Sequence, residues 1–153
     1  MENKKLYLAY GSNLNLSQMA KRCPNAKAIG TSIMKGWRLR FRGEHEAAVA
    51  TVEPSKAGEV PIIVWEITTA CEAALDRYEG YPSLYRKGTL RVELNGKPIQ
   101  GMIYILNEGQ PLSQPSCYYY SVILDGYKAQ GFDVGILKKA TLDSIEDARP
   151  HHG

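Results

Sequence analysis

The residues best equipped for chemistry stand in three places: the pentapeptide Tyr10-Gly11-Ser12-Asn13-Leu14, the carboxylate of Glu79, and a set of tyrosines near the ends of predicted elements. The pentapeptide closes the first apolar run, Leu6-Tyr7-Leu8-Ala9-Tyr10, and precedes a helical pattern. A strand that stops at Gly-Ser-Asn and gives way to a helix makes a tight turn. Such a turn leaves consecutive backbone N–H groups facing one concavity, which suits an anion or a carbonyl. Gly11 permits close backbone approach or a positive φ, and Ser12 and Asn13 bring short hydrogen-bonding side chains. The same residue types serve as plain punctuation and caps, so the pentapeptide alone fits a binding loop and a structural turn equally.

Glu79 lies where a predicted helix ends, at Glu79-Gly80, before a loop that continues as Tyr81-Pro82-Ser83-Leu84-Tyr85-Arg86-Lys87. A carboxylate there meets the negative end of the helix macrodipole. With tyrosines excluding water, that setting raises its pKa above the ordinary ~4.3 and makes it a stronger base. A second reading leaves Glu79 in solvent, paired with Arg77 or Arg86. Tyrosine itself is over-used, ten residues against two phenylalanines, with Tyr78, Tyr81, Tyr85, Tyr104, Tyr118, Tyr119 and Tyr120 near expected element ends. Apolar bulk plus one hydroxyl suits a pocket for a polar ligand, although most tyrosines serve as ordinary half-buried residues.

The elements that must position these groups form a mixed pattern. Residues 5–10 read as a buried strand and 16–22 as a short helix closed by Pro24. From Lys35 to Arg42 the chain alternates, Trp37, Leu39 and Phe41 on the core face and Arg38, Arg40 and Arg42 on a solvated one. Strands are expected over 47–53 and 59–67, separated by a turn at Pro54-Ser55-Lys56-Ala57-Gly58. Thr69 starts a helix, with Glu72 completing a capping box. Strands 87–94 and 98–106 flank Asn95-Gly96, a strong hairpin signal. Ser116 caps a helix to about Gln130, ended by Gly131, and 134–147 is helical. Hairpin-linked strands with few intervening helices argue against a doubly wound sheet and for an α+β fold around a curled, mixed or antiparallel sheet.

Composition narrows the function classes. At 153 residues, 44% hydrophobic and 23% charged, the chain reads as one soluble globular domain over 1–153, with a disordered tail from about residue 148. A net charge of +3 argues for neither nucleic acid nor an anionic membrane as partner. No apolar stretch approaches a membrane span, and no targeting segment is evident, which makes the cytoplasm the expected location. Cys23, Cys71 and Cys117 are far apart and odd in number, and read as reduced thiols rather than a disulfide frame or zinc site. His45 sits in a polar stretch and His151-His152 in the tail, so no metal site is expected.

Taken together, Tyr10-Gly11-Ser12-Asn13-Leu14, the Trp37-Arg38-Leu39-Arg40-Phe41 strand, Glu79-Gly80-Tyr81-Pro82 with Tyr85-Arg86, and Pro115-Ser116, Tyr119, Ile123 and Gly126 resemble the γ-glutamylcyclotransferase-like superfamily over about residues 5–132. The resemblance implies a small mixed β-barrel with flanking helices. It also implies an enzyme of acyltransferase or amine-lyase type that cleaves a γ-glutamyl amide by internal attack, releasing 5-oxoproline and an amine or amino acid. In that family the turn holds the γ-glutamyl portion through backbone amides, here Gly11 to Leu14. The catalytic glutamate aligns with Glu79, and pocket tyrosines align with Tyr85, Tyr104 and Tyr119. Phe132-Asp133 departs from the Leu-Pro-like pair of many members, and the leaving group is not implied.

The residue types suit that reaction. The substrate's α-amine closes a five-membered lactam, an intramolecular attack worth on the order of 7–11 kcal/mol, so no serine or cysteine nucleophile is needed. One carboxylate can shuttle the proton from the ammonium to the leaving amine, and backbone N–H groups or a tyrosine hydroxyl can hold the oxyanion. Neither metal nor organic cofactor is called for. A cysteine hydrolase would need a histidine base, and none lies in a motif. The aromatic face of the Lys35–Arg42 strand enters the core, which leaves nothing to stack on nucleic-acid bases. A non-catalytic binding or regulatory module on the same fold is the alternative, weakened by the carboxylate at position 79.

Overall fold

The computed structural model describes residues 4–149, so His151, His152 and all but the start of the expected tail lie outside the described residues. β1 (Lys4–Ala9) buries Tyr7, Leu8 and Ala9 in succession, as a strand covered on both faces must. It is the central strand of a five-stranded mixed sheet. β3 (Val49–Thr68) pairs antiparallel on one side and β5 (Lys97–Leu106) parallel on the other; β2 (Lys27–Arg42) and β4 (Tyr85–Leu94) complete the order β2-β3-β1-β5-β4. Asn95 and Gly96 carry the positive φ values of a two-residue hairpin between β4 and β5.

The α+β class stands, but the expected barrel is an open, curled sheet. The outer strands approach each other, with the Ser32 hydroxyl donating to the Glu93 carbonyl and Leu94 filling the space beside Gly30. Side chains occupy that seam, and no backbone ladder joins β2 to β4.

Two predicted strands are one. β3 runs through Pro54–Gly58, where the ladder steps from Trp37↔Pro54 to Lys35↔Glu59, so residues 55–58 stand opposite Gly36 alone. The turn signal was a large bulge, made possible by Gly36 at φ +86°. The alternation in β2 also needs correcting. Leu39 and Phe41 enter the core, but Arg40 on the opposite face is only 5% exposed, because α4 (Val134–Asp147) packs across it. There Arg40 donates to Asp147 at 2.8 Å, and the Phe41 N–H donates to the Ser144 hydroxyl.

α1 (Leu16–Arg22) is capped by the Asn15 side chain and α3 (Cys117–Gln130) by Ser116, and Gly131 ends α3 in the left-handed region. α2 (Thr69–Glu79) is capped by Thr68 rather than Thr69, and Glu72 reaches the lysines Lys5 and Lys87 instead of closing a capping box. The cysteine expectation fails in one respect. Cys23, the C-cap of α1, and Cys71, in the first turn of α2, form a disulfide with Cα atoms 5.2 Å apart. The 48-residue separation conceals that α1 and α2 pack together. Cys117 is free and exposed. Among the described residues no helix is long and apolar enough to cross a membrane.

Candidate active site

The end of β1 and the turn beyond it, Ala50 on β3, the last residue of α2, and tyrosines from β4, β5 and α3 converge on one small pocket with about 20 Å³ of free space. Its walls are Tyr7, Tyr10, Gly11, Ser12, Asn13, Ala50, Glu79, Tyr85, Tyr104 and Tyr119. Of the site residues expected from sequence, Leu14 alone stands apart. Its side chain is fully buried in the core, pressed against Gly126 of α3, where an added Cβ would come within 2.7 Å of it.

The turn is a single 3-10 turn over Ser12–Leu14. The Leu14 N–H bonds back to the Gly11 carbonyl (3.0 Å) and the Asn15 N–H to the Ser12 carbonyl, so Leu14 has no amide to spare for a ligand. Gly11 has φ −119°, and its use is space rather than a left-handed conformation. An added Cβ would lie 3.3 Å from Ala50 Cβ and 3.8 Å from the Tyr119 hydroxyl. Asn13 is held at every polar atom beyond its N–H: the Trp65 indole donates to its carbonyl, Arg22 to its Oδ1, and its Nδ2 donates to the Tyr7 hydroxyl.

Glu79 is the last residue of α2, placed there because Gly80 takes φ +67° and ends the helix. Its carboxyl is partly buried rather than solvated, and burial pushes its pKa up to about 7, with the Arg22 guanidinium opposing the rise. The cation that acts on it is Arg22, not Arg77 or Arg86. A carboxyl poised near neutrality is suited both to take and to return a proton.

The tyrosine hydroxyls divide by where their protons go. Tyr10 donates to the Tyr104 carbonyl (2.6 Å), Tyr85 to the Ala50 carbonyl (2.7 Å) and Tyr104 to Asp76 Oδ1 (2.6 Å). A hydroxyl has one proton and two lone pairs, so these three can offer a ligand only acceptors. Tyr119 and Tyr7 are the reverse. Their oxygens accept, from the Ala50 N–H at 3.1 Å and from Asn13 Nδ2 at 3.0 Å, which leaves each proton free to donate. Burial raises the phenol pKa of all five, and the Glu79 charge adds to it for Tyr7, Tyr10, Tyr85 and Tyr119, so they act as neutral hydrogen-bonding groups and not as bases. The pocket thus offers acceptors to a cation and donors to an oxyanion at once.

Among the three consecutive tyrosines of α3, Tyr119 enters the pocket and Tyr118 is 71% exposed. Ser116 fixes this choice by accepting from the Tyr119 N–H and so setting the helix phase. Sequence reasoning missed Tyr7, Ala50 and Arg22. Tyr7 had a signal, a second tyrosine three residues before Tyr10 at the end of a buried strand. Ala50 and Arg22 had none, since one contributes backbone and the other acts through Asn13. Tyr78 is 44% exposed, and its hydroxyl meets Ser12 Oγ at 3.1 Å.

Comparison with known proteins places the chain among relatives of this shape. The family model "Gamma-glutamyl cyclotransferase, AIG2-like" matches residues 7–121. The chain is 30% identical over 150 residues to a Bos taurus protein named gamma-glutamylcyclotransferase, covering 92% of this chain and 78% of the relative. It is 28% identical over 154 residues to the Homo sapiens protein of that name, covering 95% and 80%. A solved structure named gamma-glutamyl cyclotransferase superposes with a TM-score of 0.78 at 26% identity, covering 99% of this chain and 91% of the other.

Proposed function

The chain belongs to the AIG2-like gamma-glutamyl cyclotransferase family, and we propose that it cleaves a γ-glutamyl amide by attack of the substrate's own α-amine on its γ-carbonyl, releasing 5-oxoproline and a free amine or amino acid. The observation that carries this reading is Glu79, a half-buried carboxyl with pKa about 7 walled in by tyrosines beside the Gly11–Asn13 turn.

Each step has a group to perform it. The Glu79 carboxylate takes a proton from the α-ammonium, whose remaining hydrogens meet the acceptor hydroxyls of Tyr10, Tyr85 and Tyr104. The freed amine forms the C–N bond of the lactam, and the γ-carbonyl becomes an oxyanion. The protons of Tyr119 and Tyr7 and the turn's amides other than that of Leu14 are the donors available to it. The bond to the leaving nitrogen then breaks as Glu79 returns its proton to that nitrogen. The restored carboxylate takes the second proton from the lactam nitrogen and passes it to the departing amine, leaving a neutral lactam and an ionised Glu79.

The test is 5-oxoproline release from a panel of γ-glutamyl amino acids and γ-glutamylamines by wild type and Glu79→Gln. Release by wild type that disappears in the variant is expected, and the ranking identifies the leaving group. No release from any compound, with 5-oxoproline still bound, would favour the binding module over the enzyme.

A further inference from the structure

Arg22 touches the site without lining it. From the last position of α1, its Nη1 donates to Asn13 Oδ1 at 2.5 Å and its Nη2 to Gln18 Oε1 at 3.1 Å, while the guanidinium carbon lies 3.6 Å from the centre of the Tyr78 ring. A guanidinium only donates. The atom of Asn13 that faces it is therefore the amide oxygen, and the atom that faces Tyr7 is the amide nitrogen. That nitrogen donates to the Tyr7 hydroxyl at 3.0 Å. Tyr7 already accepts there, so its own proton is free for the pocket it lines. Without a pure donor at position 22, nothing prevents the Asn13 amide from turning over. Its oxygen would then face Tyr7 and take the Tyr7 proton, converting a donor of the pocket into an acceptor.

We propose that Arg22 is a positioning residue that, by fixing the Asn13 amide, turns the Tyr7 hydroxyl proton into the pocket and sets its donor–acceptor polarity. The proposal deepens the cyclotransferase reading and rests on it. A second contribution follows from the same geometry. Arg22 from α1 faces Glu79 together with Tyr7 of β1, Tyr10 of the following turn, Tyr85 of β4 and Tyr119 of α3, and it is the cation of that set. Its charge favours the ionised carboxylate that burial disfavours.

Three measurements decide the matter. A neutron structure locates the Tyr7 deuteron without any turnover, so its result is independent of the reaction assigned. A deuteron directed into the pocket is expected in wild type, and directed at Asn13 in Arg22→Gln. A deuteron directed at Asn13 in wild type overturns the proposal. In kinetics, Arg22→Gln and Tyr7→Phe should each lower kcat roughly 10- to 100-fold, at or below the ~10²–10³ usual for deleting an oxyanion donor. The double variant should be no worse than the poorer single one, whereas effects that multiply in full would sever the link between the two residues. Finally, the acidic limb of kcat/KM should move to higher pH in Arg22→Gln and return near wild type in Arg22→Lys, which keeps the charge. An unmoved limb would assign Arg22 to folding alone. Should Arg22→Gln not fold, Asn13→Asp tests the same step, since it keeps an acceptor for Arg22 and has no donor for Tyr7. Unchanged kcat in that variant overturns the proposal.

Discussion

Glu72 and Glu79 are the same residue type on the same helix, two turns apart and so on nearly one stripe of α2. Their chemistry is opposite. At Glu72, burial alone would raise the pKa, but hydrogen bonds from Lys87 and Lys5 outweigh it and hold the carboxyl below its usual value. At Glu79, burial dominates, the one opposing cation is engaged with Asn13, and the carboxyl rises to about 7. Asp76 lies between them, accepting from Lys87 on one side and from Tyr104 on the other. Position along the helix axis, not which face it presents, separates a structural carboxylate from a proton carrier. The first turn has a favourable dipole and two lysines; the last has an unfavourable dipole and a wall of phenols.

The largest expected difference between the two is in turnover. Glu79→Gln should lose roughly 10²–10⁴-fold in kcat, while Glu72→Gln should stay within about threefold of wild type. Equal losses in 5-oxoproline release would mean that the contrast in environment has no catalytic meaning. In stability the two should diverge with opposite sign. Glu79 has a folded-state pKa above its unfolded value, so its contribution is whole below about pH 4.5 and is lost as pH rises through 7. Glu79→Gln should therefore match wild type near pH 4 and exceed it by roughly 2–3 kcal/mol at pH 8, read by urea unfolding. Glu72 has a lowered pKa, and its stabilisation is present above the unfolded value and lost as pH falls through the folded one. Glu72→Gln should then cost about 0.5–1 kcal/mol at pH 8 and nothing in acid.

Gly80→Ala probes the helix end itself. A β-carbon at φ +67° costs about 1 kcal/mol and meets Leu84 Cβ at 3.2 Å, so it should displace Glu79 and lower kcat while leaving the Glu72–Lys87 pair intact by NMR. The smallest change should come from Lys87→Met. The Glu72 titration midpoint should climb toward that of Glu79, with a stability loss near 0.5 kcal/mol. A midpoint that stays low would show that Lys5 alone sustains the lowered pKa.

Local signals in the chain carried most of the site. A Gly-Ser-Asn turn after a buried strand, a glutamate before a helix-ending glycine, and tyrosines at element ends are each legible within a few residues. What could not be read depended on contacts between distant segments. Arg40 alternates like a solvent-facing residue, and only the packing of α4 makes it buried. Cys23 and Cys71 lie in different helices whose approach no spacing encodes. Residues 54–58 have the composition of a turn, but the ladder resumes on both sides of them because Gly36 bends to match. Leu14 belongs to the motif by sequence yet anchors the turn to α3 rather than facing the pocket. Arg22 is the clearest case, since its effect depends on which end of the Asn13 amide, nine residues away in sequence, faces which neighbour.

The Cys23–Cys71 bond has a topological consequence. It closes residues 23–71 into a covalent ring, and the whole β2–β3 hairpin lies inside that ring. The tip of the hairpin, residues 44–47, is exposed throughout. A protease cut at the tip would open the backbone without releasing either piece, giving one band on a gel without reductant and two with it. The hairpin tip is thus a place where the chain can be severed while the turn and Glu79 remain parts of a single molecule.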